Sequence, residues 1–524
     1  MSSTTAPKID RPRRPELQLV PPRGFFRRHM LAIALGAAVL VVALIILYIK
    51  VWPFSRNAVV EDLVEASGSA VTIHGYHPTY FPPGCILEQV EFQNGPRHVT
   101  IISIQRLIVE GSYIGILRSH LPRITVIGGH VFIPKFGSGT TFETQHSDTV
   151  VDEIVANGTI VEFENEDPHK KPLLFDVHEA ILRDVRWASP IQYRLKFHNP
   201  NPPGEIAAAG HFGVWTTGHP ENTPFSGEYT FDHADLSVYG GISGFLSSKG
   251  KFDGVLGHVN VSGATDTPDF SVQSSGHKVK LKTNFDAYVD AIHGDTFLNR
   301  VDARFGRTAV SAQGSIAGTR GSKGKLADLQ LTVHQGRIED LLGLFVTGRS
   351  PMSGPVSLRA RARIPPGDRP FLRKVTLAGQ FGIENGSFIK PETQGDVNAL
   401  SAGARGQNKE DPETVVTDLL GQVALVNGQS NFSDLSFYIP GAHARVHGTY
   451  DILSHKIDLH GKMRVDTKIS KTSSGMKALL LKLMDPMFKK KKKGEVVPIH
   501  ITGTYEKPQF GLDLTNQQEK RPLP

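Results

Sequence analysis

Strict alternation of apolar and polar residues is the feature that most limits what this chain can fold into. From His443 to Ile452 the even positions are Ala444, Val446, Gly448, Tyr450 and Ile452, and the odd positions are polar or charged. From Lys456 to Asp466 the odd positions Ile457, Leu459, Gly461, Met463 and Val465 form the apolar set. From Lys278 to Asp290 Val279, Leu281, Phe285, Ala287 and Val289 alternate with mostly polar residues. A period of two puts one set on each side of a strand, so these are one-sided strands. Antiparallel sheets carry that signature; parallel α/β sheets, buried on both faces, do not. Some thirty segments read this way. Helical spacing is confined to Ala58–Ala66, Ile338–Phe345 and Ser474–Met487. Three short helices cannot cover so many apolar faces. The faces therefore pack on each other in a sandwich, or line an open groove that something else fills. The predicted fold is mainly β: a long curved antiparallel sheet or groove of repeated hairpins, one N-terminal transmembrane helix and a few short amphipathic helices.

Repetition supports a quasi-one-dimensional structure. Gly379–Gly386 reads GQFGIENG and Gly421–Gly428 reads GQVALVNG. Gly263 opens GATDTPDFSV and Gly503 opens GTYEKPQFGL. Asn-Gly between alternating runs is a hairpin signal, and it occurs at Asn94-Gly95, Asn157-Gly158, Asn385-Gly386 and Asn427-Gly428. Gly137–Asp148 and Pro391–Glu413 lack strand periodicity and read as loops. The expected organisation is a basic Pro-rich tail (1–29), an anchor (30–49), an N-terminal β region (50–136), a central β-groove region (137–390), a loop (391–412), a C-terminal β region with an amphipathic helix at 474–487 (413–514), and a tail (515–524).

The anchor is Met30–Ile49, twenty residues without a charge. At 1.5 Å per residue it spans about 30 Å, the thickness of a bilayer core. Met30, Leu35, Leu40, Leu44 and Ile49 mark its length. Tyr48 and Trp52 stand at one end, as interfacial aromatics do. The run is longer than a signal-peptide core of about 7–15 residues, and no small-residue cleavage site follows. The formal net charge of +7 is concentrated beside it: residues 1–29 hold seven Lys/Arg against Asp10 and Glu16. Arg27 and Arg28 keep the N-terminus cytoplasmic and place the body across the membrane. The near-neutral body has no electrostatic footprint for nucleic acid.

Catalytic motifs are missing from the sequence. It has no G-x-S-x-G and no H-E-x-x-H. Gly321–Lys325 resembles a phosphate loop only superficially, because Leu326 stands where Ser/Thr would hold Mg²⁺. The lone Cys85 excludes a Cys-ligated zinc site and an intramolecular disulfide. His443 and His447 share a strand face but lie about 13 Å apart, too far to chelate one ion. His74 and His77 lack a local carboxylate. Glu339-Asp340 opens a helix, where the dipole favours acids. No cofactor and no catalytic residue is expected. The 474–487 stripe includes Leu480, Leu483 and Met487, and the run Lys489, Lys490, Lys491, Lys492 and Lys493 follows it. Such a pairing suits an anionic membrane surface, or else caps the open end of the sheet with solvated lysines.

The basic tail, the single anchor and the long β-rich body together resemble the AsmA-like family, relatives of TamB and YhdP. The likeness is carried by VTIHGYHPTYFPPGCILEQVEFQN from Val71, by VTIISIQRLIVEGSYIGILRSHLPRITVIGGHVFIP from Val99, and by the C-terminal block Gly421–Leu512. Residues 200–370 are similar only in style. The resemblance implies a gutter with an apolar floor, like that of bridge-like lipid transfer proteins. It also implies anchorage in a bacterial inner membrane with a periplasmic body, and work on phospholipids in outer-membrane biogenesis, with outer-membrane assembly proteins as further partners. No bond is broken in that role. The apolar members of the clean alternations are the expected floor: Leu281, Phe285, Val446, Tyr450, Leu459 and Val465. The same residues would fill a closed sandwich serving as a scaffold in envelope assembly.

Overall fold

A computed structural model describes residues 40–42, 52–95, 98–134, 148–164, 172–216, 219–273, 275–291, 293–318, 324–367, 369–405, 413–465, 496–504 and 507–513. The chain divides into two compact units, Met1–Val59 and Val60–Pro524. In the first, residues 40–42 are helical and Leu40 is exposed. Met30, Leu35, Leu44 and Ile49 lie outside the described residues. Among the described residues no helix is long and apolar enough to cross a membrane. Trp52 is buried, its ring edge-on to Phe54 at 5.6 Å.

The second unit is built on one 25-stranded sheet. In chain order its strands are β1 (Ala70–Tyr80), β2 (Pro83–Asn94), β3 (Val99–Glu110), β4 (His120–Ile133), β5 (Val150–Phe163), β6 (Leu173–Val185), β7 (Ile191–Pro200), β8 (Pro203–Phe212) and β9 (Phe225–Asp235). Then come β10 (Ile242–Ser243), β11 (Phe245–Val255), β12 (His258–Val272), β13 (Val279–Asp290), β14 (Asp295–Phe305), β15 (Thr308–Gly318), β16 (Lys325–Arg337), β17 (Met352–Ser353) and β18 (Pro355–Ile364). The last are β19 (Thr376–Phe388), β20 (Thr417–Val426), β21 (Gln429–Ile439), β22 (Ala442–Asp451), β23 (Lys456–Val465), β24 (Val496–Thr504) and β25 (Lys507–Leu512). Each strand pairs with the next along the chain, except that β9 pairs with β11 and β16 with β18. The two-residue strands β10 and β17 sit beside β12 and β19. Among the described residues β1 pairs only with β2 and β25 only with β24, so the sheet is open. It has fewer strands than the alternation suggested because several are long: β12 has 15 residues and β4 has 14.

Every neighbouring pair is antiparallel except β4 and β5, which run parallel with Ile124 opposite Ile154. A parallel pair needs a connection of about a dozen residues or more to return to the starting edge, and residues 134–149 are long enough. The Asn-Gly signals divide in two. Asn427 (φ 53°) and Gly428 (φ 80°) form the two-residue turn between β20 and β21, and Asn94-Gly95 closes β2. The other two are not hairpins, correcting the sequence reading. Gly158 (φ 62°) kinks β5 from within, and Asn385 (φ 50°) sits at a register shift inside β19. Asn and Gly accept a positive φ wherever it is needed, in a bulge as readily as in a turn.

The repeats fare similarly. GQFGIENG and GQVALVNG lie side by side on β19 and β20, with Gln380 opposite Gln422 and Phe381 opposite Gly421. GATDTPDFSV stays within β12, whereas GTYEKPQFGL passes from β24 into β25, so that pair does not build a common unit.

Helices are few and short. Arg56–Ser67 and Ile338–Gly343 match the sequence expectation. Pro391–Ala404 is a 14-residue helix where a loop was expected over 391–412. Proline is tolerated in a first helical turn, and Val397, Leu400, Ser401 and Ala404 fall at i, i+3, i+4 and i+7, a helical stripe of mixed size and polarity. The helix seals one patch of the sheet: Val397 and Ala404 join Val415, Ile439, Ala442, Ala444, Met463 and Val465 in one buried cluster. Ser401 Oγ donates to Pro440 O at 2.7 Å and Gln394 Nε2 to Val415 O at 3.0 Å. The helix Ile338–Gly343 seals a second patch, packing on Val333, Met352, Val356 and Ile383. Its acidic first turn does more than favour the dipole. Asp340 accepts from Arg307 N and Thr308 Oγ1, both at 2.8 Å, and Glu339 accepts from Gly354 N at 3.1 Å, tying the helix to two turns.

Ile439 is wholly buried in the first cluster and its neighbour Tyr438 is exposed on the other face. Ile439→Ala is therefore expected to lower the unfolding free energy by about 2–5 kcal/mol, and Tyr438→Ala to change it by about 0.5 kcal/mol or less, read from urea midpoints.

Candidate functional site: the apolar face of the sheet

Cross-strand register carries the apolar residues onto one face. Leu459 lies opposite Gly448 and Ile501, Val446 opposite Leu435 and Gly461, and Leu435 opposite Gly421. The row continues through Phe381 and Leu358 to Val333, and again through Val301, Phe285 and Gly263. Further on, Phe252 faces Gly227, Phe231 faces Ile206, and Ile206 faces Phe197.

All six expected floor residues lie on this face. Leu281 and Phe285 on β13, Tyr450 on β22 and Leu459 on β23 are half-buried. Val446 and Val465 are only 2% exposed, and Val465 belongs to the cluster under the helix Pro391–Ala404, so neither offers surface to a ligand in this conformation. Leu480, Leu483, Met487 and Lys489 to Lys493 lie outside the described residues.

An aromatic belt was missed. Phe163, Phe175 and Phe197 meet edge-on across β5, β6 and β7, with centroids 5.3 and 6.0 Å apart. Tyr193, Phe225 and Phe252 continue it across β7, β9 and β11, at 5.6 and 4.8 Å. The signal was available in IQYRLKF and FSGEYTF, where aromatic and aliphatic residues occupy alternate positions. Glycines make room for these rings. A Cβ on Gly227 would lie 2.6 Å from Tyr193 Oη and 2.9 Å from Phe252 Cζ, and one on Gly263 would lie 3.1 Å from Phe285 Cζ. Strand glycines mark such close approaches. The rings thus lie across the backbone and give a broad apolar floor. Several of its polar groups are paired internally: Tyr193 Oη donates to Ser226 O at 3.1 Å, Tyr229 Oη meets Ser248 Oγ at 3.1 Å, and Thr265 and Thr283 share a 2.6 Å hydroxyl bond. Burial pushes the Tyr193 and Tyr229 phenols up, so both stay neutral.

The opposite face is charged and cross-paired. Glu153 lies between Arg123 and Arg183, each at 3.2 Å. Glu228 meets Lys251 at 2.7 Å. Asp328 accepts from Arg361 Nε and Nη2, both at 2.6 Å, and from Arg363 Nε at 3.0 Å. Arg361 first, then Arg363, hold the Asp328 carboxyl below the usual carboxylate range. Exposed pairs of this kind contribute about 0–1 kcal/mol each, but they fix which face is wet. On the same face His447, His460 and His500 lie in register across β22, β23 and β24. His460 meets Asp513 through Nδ1 at 2.8 Å and Asp458 through Nε2 at 2.9 Å. Among the described residues no three His, Cys, Asp or Glu side chains are grouped to hold a metal ion.

Compared with protein-family models, curated proteins and solved structures, the chain matches none of them.

The floor's geometry gives a steric prediction. Gly263→Val forces a side chain toward Phe285 Cζ and Lys249 O. It is expected to lower stability by about 1–3 kcal/mol, whereas Ser262→Val, exposed on the other face, changes it by about 0.5 kcal/mol or less. Urea midpoints separate the two.

The histidine row gives a pH prediction. The hydrogen bond to Asp513, and then that to Asp458, raise the His460 pKa. Its charged form therefore stabilises the fold fully below about pH 6.5 and loses that contribution as pH rises through the folded value. The melting-temperature difference between wild type and His460→Gln should be largest near pH 5.5 and shrink toward pH 8.5. A difference that grows with pH would contradict the assignment.

Proposed function

We propose that this protein is anchored in a bacterial inner membrane and that its periplasmic sheet holds phospholipid acyl chains for transfer toward the outer membrane. One observation carries the reading: an apolar face that register carries from strand to strand along a single sheet, with short helices such as Ile338–Gly343 and Pro391–Ala404 sealing patches of it. Burial of acyl chains on that face would supply about 0.8 kcal/mol per CH₂. At about 4.8 Å per strand the ladder extends some 105 Å, far longer than any acyl chain, so it has room for several lipids along its length. Coiling of the sheet also supports a gutter. Gly241, between β9 and β10, lies directly against Phe371, between β18 and β19, although seven ladder steps would hold them about 34 Å apart in a flat sheet. The charged face would stay toward water. Phospholipids are the proposed cargo and outer-membrane assembly proteins the proposed partners; the role needs no cofactor and no bond-breaking step.

The sealed cluster around Ile439 and Val465 favours a second reading for the C-terminal strands. In that reading they form a closed scaffold segment in envelope assembly and carry no lipid.

Lipid analysis by mass spectrometry tests the proposal, using residues 54–524 exported without the anchor. Several phospholipids per chain are expected, with at least half lost in Phe285→Asp while far-UV circular dichroism is unchanged. A folded, lipid-free body would overturn lipid carriage and leave the scaffold.

A further inference from the structure

The turn joining β1 to β2 and the connection from β3 to β4 meet at one end of these strands and expose a cluster of large apolar side chains. Phe81 is 85% exposed, Leu117 86%, Ile114 68% and Tyr113 47%. A soluble surface does not usually gather such residues in one place. Nor is the exposure an accident of a loose loop. Gly111 N donates to Pro83 O at 2.8 Å and Tyr113 Oη to Tyr80 O at 2.8 Å, binding one turn to the other. The Phe81 and Tyr113 rings lie 6.1 Å apart. Ser112 Oγ accepts from Gly115 N at 2.9 Å, and Arg118 N donates to Gly115 O at 2.9 Å. Gly115 packs against His120 O so closely that no Cβ would fit. The apolar groups are therefore held outward by a braced backbone.

We propose that this tip inserts into the interfacial layer of a lipid bilayer. The inference rests on the lipid-carrying reading and supplies its membrane contact. Chemistry favours lipid over protein as the occupant. Residues 111–119 contain one charge, Arg118, and residues 81–83 contain none. Two aromatic rings, two aliphatic side chains and one exposed cation match the make-up of interfacial anchors, and the cation complements anionic headgroups. The tip also projects as two turns instead of forming a groove for a peptide.

Fluorescence quenching in the full-length chain, reconstituted in vesicles of phosphatidylethanolamine and phosphatidylglycerol, tests the contact. Leu117→Cys is labelled with an environment-sensitive dye, and Lys251→Cys serves as a control on the charged face. Cys85 stays unlabelled, since it is 1% exposed and burial pushes its thiol up to about 12. Spin-labelled lipid is expected to quench the dye at residue 117 about threefold more than at 251, as shallow insertion requires. Equal quenching at both sites would overturn the proposal, whatever the protein carries. A second measurement separates tip from floor. Phe81→Asp combined with Leu117→Asp is expected to cut phospholipid transfer between vesicles about tenfold, the scale of losing apolar insertion, while co-purified lipid stays at the wild-type level. Unchanged transfer with lipid retained would sink the tip and spare the floor. A lipid-free wild type would sink the floor, and the quenching result would still decide the tip.

Discussion

Everything in this structure depends on keeping one face apolar through strand after strand. A one-residue slip in a strand moves its entire apolar set to the wrong face. The chain resists that with register shifts. On β14 Leu298 and Val301 both face inward, because an extra residue between them resets the alternation. Phe432 and Leu435 on β21, Val333 and Gly336 on β16, and Ile383 and Gly386 on β19 do the same. Each bulge changes the parity of the sequence but not the face. The ion pairs on the other side work toward the same end: Asp328 between Arg361 and Arg363, or Glu153 between Arg123 and Arg183, would be stripped of water if a strand inverted.

The same bulges explain how much of the fold was legible in the sequence. The clean alternations at 278–290, 443–452 and 456–466 became β13, β22 and β23, whose own phase runs through without a reset. Strands such as β14 and β19 change phase halfway and read as broken patterns, yet they present the same apolar face. Asn157-Gly158 and Asn385-Gly386 misled for a related reason, since the residues that permit a turn also permit a kink. The helix Pro391–Ala404 was missed because its inward side uses Val397, Ser401 and Ala404, too small and too mixed to stand out. Its role is also tertiary: it exists to close over Ile439, Ala444 and Val465, and strand periodicity says nothing about what lies above a strand.

The candidate site was legible by face but not by depth. All six floor positions share the apolar side, since period two fixes the side. Whether a position is open or sealed depends on what packs over it, which is why Val465, in the cluster under the helix Pro391–Ala404, is closed while Leu281 and Phe285 keep accessible surface. The alternation in IQYRLKF and FSGEYTF marked the strands of the aromatic belt, but only register, which sets Phe197 opposite Ile206 and Phe225 opposite Phe212, joins them into one belt across β5 to β11. A ring is accommodated by a glycine on the neighbouring strand, a pairing that spacing within one strand cannot show.

Glycine opposite aromatic has a mechanical consequence as well. A floor of upright Leu and Phe side chains would fill the space above the sheet and invite a second layer to interdigitate, as in a sandwich core. Rings that lie against Gly227 and Gly263 reach across the neighbouring strand instead of standing upright from their own. Dispersion still favours covering such a surface, but flexible chains that conform to it can do so without interlocking. The two helices cover it differently, each with a cluster of fitted side chains and hydrogen bonds from Gln394, Ser401, Asp340 or Glu339 that fix its seat. The sheet therefore combines specific, bonded covers over its later strands with an apolar face on β5 to β13 where rings lie against glycines. The proposed lipid-carrying role would draw on that combination, since permanent covers would hold the strands while the uncovered apolar face took up chains that come and go.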